Sequence, residues 1–162
     1  MPTSALDKFY FVVGWGNPSY NDPQFVVVAS QDNTTIKMTP SVNTTAGNGV
    51  PAYVKGVQAT LPVLNAGDYI QIQTTDPSQA GFTGTYITSD KPVAVFSTHE
   101  CANVPGLPSC CCDHLEEQIY GLQTWGKTYV ASRLPIRQPT GVEVNQWQVF
   151  ASENGTIVNF QA

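Results

Sequence analysis

The sequence predicts an all-β protein: an antiparallel sandwich of about seven to ten strands, with one short helical turn near a cysteine cluster. Two observations carry that prediction. Short apolar or alternating runs recur along the chain, each closed by Gly, Pro, Asn or Asp. Helical spacing is confined to one stretch, 113–118, where the acids would sit in the first turn and suit the helix dipole.

The elements run in order. Phe9–Val13 is an apolar run stopped by Gly14. Phe25–Ala29 is continuous and apolar, as in a strand buried on both faces. Gln31-Asp32-Asn33 reads as a hairpin turn into the alternating stretch 34–39. Residues 41–50 are Asn, Thr and Gly, a surface loop, and 53–61 is a weaker strand. Asn65-Ala66-Gly67-Asp68 is a turn before the alternating Tyr69–Gln73. Residues 84–88 form a strand, and Ser89-Asp90-Lys91-Pro92 turns the chain into a further strand, 93–97. Pro92 lacks a ladder donor, which puts it at a strand start.

The chain then starts again. Lys8–Val13 is echoed by Lys127–Ala131, and Phe25–Ile36 by Trp147–Ile157, at an offset of about 119 to 122 with small indels. Two superposable hairpins are expected, turning at Asp32-Asn33 and at Asn154-Gly155. The domain boundaries are therefore 1–124 for a first β module and 125–162 for a second segment. That segment is the opening of a second repeat, or the closing strands of the same sandwich.

Composition narrows the function. Of 162 residues only 12% are charged, and the net charge is −5. The seven bases are scattered and form no cluster that could neutralise several phosphates, so no nucleic-acid partner is expected. No apolar run approaches the roughly 20 residues of a membrane span, and no membrane insertion is expected. Met1-Pro2-Thr3-Ser4 lacks the regions of a signal peptide. The expectation is a domain cut from a larger secreted chain. Sequons stand at Asn33, Asn43 and Asn154.

All four cysteines, Cys101, Cys110, Cys111 and Cys112, fall within twelve residues. In a chain so poor in charge they point to disulfide chemistry and an extracellular or cell-surface setting. Three pairings are open, and Cys101 reaches any of the others with similar ease. A bond between neighbours closes a strained ring. The rival is a zinc site built from His99, Cys101, Cys112 and His114, but zinc usually takes Cys-x2-Cys knuckles, which are absent. Calcium could find oxygens at Asn21-Asp22 or Asp32-Asn33, yet no EF-hand pattern occurs. No cofactor is expected.

Catalysis would have to rest on a Cys112 nucleophile beside His114, and no hydrolase or phosphate-loop motif supports it. Among the aromatics, Trp15 between two glycines and nearby Tyr20 are the candidates for facing a ligand.

The motifs between 83 and 130 carry a resemblance. Thr83-Gly84-Thr85, Ile87–Ser97, Cys101-Ala102-Asn103-Val104-Pro105, Cys112-Asp113-His114-Leu115-Glu116-Glu117-Gln118 and Trp125-Gly126 resemble the N-terminal domain of the IgG Fc-binding protein family. Asp32–Ile36 and Asn65–Asp68 fit more loosely. The resemblance implies a non-catalytic extracellular recognition or adhesion module of β architecture, with a protein or glycan partner. It also implies a Cys101–Cys112 pair, since one cysteine precedes Asp-His-Leu in the family. Cys110, Cys111 and His99 depart from that pattern. The structural alternative is a repeat unit of a fibre or stalk that self-associates through open strand edges.

Overall fold

A computed structural model describes residues 2–16, 22–74, 81–106, 111–133, 135 and 145–161. The chain divides into two compact units, Met1–Trp125 and Gly126–Ala162.

The first unit is built on one antiparallel sheet. Its strands are β1 (Asp7–Phe11), β2 (Pro23–Ala29), β3 (Ile36–Thr39), β4 (Ala59–Thr60), β5 (Tyr69–Gln73), β6 (Tyr86–Ala102) and β7 (Asp113–Gln118). No α-helix occurs among the described residues, only 3-10 turns at Thr3–Ala5 and Leu122–Thr124.

The 17-residue β6 is the spine. β1 and β3 both pair with residues 86–88, so they lie on opposite edges of it. Asp7 and Ala29 both face Val93, which puts β1 and β2 on opposite edges as well. It follows that β2 and β3 run end to end along one edge, and β7 and β1 along the other. Residues 86–89 therefore centre the group β4-β3-β6-β1, and residues 93–102 the group β5-β2-β6-β7. The sheet bends between the two groups and curls into a half-barrel.

The crease lies at Asp90-Lys91-Pro92. There, three residues of β6 stand against six of the facing edge, 30–35. The Asp90 N–H still donates to the Thr35 carbonyl at 3.2 Å, and side chains supply the other bonds. The Thr35 N–H donates to Asp90 Oδ1 at 2.8 Å, and Lys91 Nζ donates to the carbonyls of Asn33, at 3.0 Å, and Asp32. Ser30 Oγ donates to the Pro92 carbonyl. Pro92 is tolerated inside a central strand because the ladder is already interrupted at that point.

On the concave face, Ile87, Val93 and Val95 alternate along β6 and meet Phe25, Val27, Ala29, Ile36 and Met38. Ile70 and Ile72 extend this core, and Phe82 meets Phe25 edge to face at 4.8 Å. Tyr10 is buried at the crease. Its hydroxyl donates to the Val93 carbonyl and accepts the Asp7 N–H, both at 2.7 Å.

Four expectations are corrected. Residues 113–118 form β7 and no helix, because the open edge of β6 supplies ladder bonds that local helical propensity does not outweigh. The expected turn at 89–92 is a kink inside one strand. Residues 25–36 do not make a hairpin: β2 and β3 are collinear and each pairs with β6. The weak strand at 53–61 shortens to Ala59–Thr60.

In the second unit, Gly126–Ala162, the described residues form no strand, so the expected hairpin at Trp147–Ile157 is absent there too. The turn itself is present, with Gly155 at φ 76°.

Candidate functional site

Residues 94, 96, 98 and 100 of β6 face outward on the convex side. Near the cysteines this face carries a shallow groove of ≈ 280 Å³, lined by Val26, Val28, Phe96, Thr98, His114 and Glu116. Strand register explains the set: Val26 stands beside Phe96, and Thr98 beside Glu116. The valines and Phe96 make an apolar floor, and β7 supplies a polar rim. His114 Nε2 lies 3.3 Å from Glu116 Oε2, two residues along the same face, with both side chains more than half exposed. At that exposure the pair adds little to stability.

A polar row borders the floor. Gln71 Nε2 donates to Gln24 Oε1, and Gln24 Nε2 donates to Glu100 Oε1 at 3.0 Å. Gln73 Nε2 donates to Asp22 Oδ2 at 3.2 Å. The sequence held a signal for this row, because Gln71 and Gln73 alternate with Ile70 and Ile72. It held less for the floor, since Val26 and Val28 sit in a run that reads as wholly buried.

Cys101 and Cys112 form a disulfide with Cα atoms 4.9 Å apart. It spans the place where the β6–β7 register slips, between His99↔Leu115 and Ala102↔Asp113. β7 is thus stapled at its start and laddered along its length, which fixes the rim of the groove. Cys111 is also disulfide-bonded. Cys110 lies outside the described residues.

The four residues of the zinc alternative do not converge. Cys101 and Cys112 bond to each other, and the two histidines lie on opposite faces. His99 faces the core and is buried, whereas His114, next to its partner Leu115, faces solvent. Among the described residues no three His, Cys, Asp or Glu side chains gather as metal ligands. The disulfide also removes Cys112 as a thiolate, so a Cys112/His114 pair has no nucleophile.

His99 has a structural place. Its Nδ1 accepts the Cys101 N–H at 3.2 Å, which leaves the ring proton on Nε2. Burial pushes its pKa below the ordinary 6.5, partly offset by the nearby charges of Asp22 and Glu100.

Trp15, a candidate for facing a ligand, is half-buried. Its Nε1 donates to the Asn103 carbonyl at 3.1 Å, tying the segment after β1 to the end of β6. Tyr20 and Asn21 lie outside the described residues. Asp32 accepts the Ala66 N–H at 3.0 Å and is engaged in the turn.

The model of the family described as IgGFc binding protein matches residues 1–162. The chain belongs to the IgGFc binding protein family. It is similar to the IgGFc-binding protein of Homo sapiens, with 29% identity over 134 residues. That match covers 82% of this chain and 2% of the human protein, so the chain spans a small fraction of that relative's length. No solved structure matches the chain. The stapled β6–β7 edge falls within the stretch whose motifs pointed to this family.

Proposed function

We propose that this IgGFc-binding-family domain is a non-catalytic, extracellular recognition module. It binds a protein or glycan surface on the convex face beside the disulfide. The observation that carries the reading is the groove itself: an apolar floor of Val26, Val28 and Phe96, rimmed by Thr98, His114 and Glu116, on a sheet that the Cys101–Cys112 bond holds rigid. An apolar floor with a few placed polar groups is the usual make-up of a recognition surface. In this reading the seven described strands belong to a sandwich of seven to ten.

The test is a glycan array run beside a panel of immobilised proteins that includes IgG Fc. Wild type is compared with a Thr98→Lys/Glu116→Lys variant that reverses the charge of the rim and leaves the core intact. A bound ligand whose affinity falls about tenfold or more in the variant supports the reading. A ligand bound equally by both moves the site elsewhere.

A second reading, self-association through strand edges, draws on β7. Nearly all its side chains are exposed, and its outer edge pairs with no described strand. Against it, Asp113, Glu116 and Glu117 put three acids on that edge, a device that discourages a second copy from adding there. A monomeric mass by light scattering, together with ligand binding, favours recognition over a fibre unit.

A further inference from the structure

The echo between the start of the chain and its end extends from residues to bonds. The 3-10 turns Thr3–Ala5 and Leu122–Thr124 lie 119 residues apart, each with the same two i→i+3 bonds. At the same offset, the Asp7 N–H donates to the Tyr10 hydroxyl at 2.7 Å, and the Gly126 N–H to the Tyr129 hydroxyl at 2.8 Å. Further on, Thr34 Oγ1 donates to the Gln31 carbonyl at 2.7 Å, and Thr156 Oγ1 to the Glu153 carbonyl at 2.8 Å. These positions are 122 residues apart. Asn33 and Gly155, also 122 apart, both take positive φ, 53° and 76°.

In that register no gap is needed between 25–38 and 147–160. Phe25, Val27 and Ala29 fall on Trp147, Val149 and Ala151, while Ile36 and Met38 fall on Val158 and Phe160. The first member of every pair is buried. The second members are open to solvent: Trp147 is 57% exposed, Val149 63% and Phe160 83%. Topology accounts for the contrast. β1, β2 and β3 never pair with one another, and every one of them is laddered to β6. Their counterparts lie within residues 126–162, which carry no β6 counterpart.

We propose that residues 127–131 and 147–160 are an acceptor surface for one extended strand of β6 type. The occupant is defined by the template. It is antiparallel to both segments, is about as long as the 17-residue β6, has apolar residues at alternate positions, and has a polar kink at its middle. The existing β6 cannot serve, because both of its edges are occupied. This proposal does not rest on the ligand groove.

The test uses the full 162-residue chain, 15N-labelled, and a synthetic Tyr86–Ala102 peptide with Cys101→Ser. With the peptide in excess, amides of 129–131 and 147–160 gain about tenfold or more in hydrogen-exchange protection, while those of the first unit stay as they were. A peptide carrying Val93→Asp and Val95→Asp gives no gain. A chain with Val149→Asp and Phe160→Asp loses the response at an unchanged melting temperature of the first unit. The proposal is overturned if no protection appears, if the Asp-bearing peptide protects equally, or if the gain falls on β2 and β3 by strand exchange.

Discussion

Residues 25–38 and 147–160 begin with closely related sequences and share one turn, yet the first forms two buried strands and the second none. The turn is local: an i→i−3 hydroxyl bond and one positive φ suffice to make it. The strands are not local. β2 and β3 exist because β6 lies beside them, and β6 begins 57 residues after the end of β2 and 47 after the end of β3. Apolar alternation thus marks where a strand can form, and the template decides whether it does.

The strongest way to break this comparison is to truncate one residue in each copy. Phe25→Ala removes a fully buried ring and should cost about 3–5 kcal/mol in urea unfolding. Trp147→Ala should change stability by less than about 0.5 kcal/mol, as exposed positions do. Equal effects would mean that Trp147 is packed in solution.

Next in size is the staple. A Cys101→Ala/Cys112→Ala variant should lose roughly 2–3 kcal/mol in the chain-entropy account of a short closed loop. Exchange protection should fall first on β7 and leave β3 and β4 as before. Uniform loss across the sheet would show that β7 is integral to the core.

A smaller effect is expected from the paired tyrosines. Tyr10→Phe strands the Val93 carbonyl and the Asp7 N–H in the core, at about 1–3 kcal/mol. Tyr129→Phe releases a single exposed bond and should be near neutral. A thermal-melt pair reads both.

The mildest effect is set by pH. His99 is held neutral by burial, with a folded pKa below 6.5. Below pH 6.5 the unfolded chain takes up a proton that the fold refuses, so stability is full above that pH and declines as pH falls toward the folded pKa. Denaturant midpoints between pH 7.5 and 5 should show the decline in wild type and less of it in His99→Gln. A flat wild-type profile would contradict a neutral buried His99.

How far the sequence could be read follows the same division. Strand positions were legible wherever apolar residues ran or alternated, as at Phe25–Ala29 and Tyr69–Gln73. So was the Asn65–Asp68 turn, closed by the Asp68 N–H on the Asn65 carbonyl at 2.9 Å and by Gly67 at φ 87°. Partners were not legible. A hairpin at Asp32-Asn33 was the natural reading, because nothing local in 25–39 reveals that both strands face β6. Asp113–Gln118 read as a helix because its acids would sit in a first turn and suit the helix dipole, and only the edge of β6 makes it a strand. The Cys101–Cys112 pairing came from the resemblance and not from spacing. The groove was hidden because its lining is drawn from three strands, β2, β6 and β7.

The crease has a mechanical consequence. β7 runs out opposite Phe96 and β1 begins opposite Val93, next to the crease, and the chain that leaves β7 closes on Asp7: a Cβ on Gly121 would come within 2.1 Å of Asp7 Cβ. Tension that drew Asp7 and Gly121 apart would therefore load the ladder one bond at a time. β1 and β7 would peel from β6 in opposite directions, with no sharing of the force among many bonds at once. Peeling of β7 would stop at Cys112, where the covalent link to Cys101 takes the load. On the β7 side that link sets the length of chain released, while β2 and β3 stay laddered to the other edge of β6.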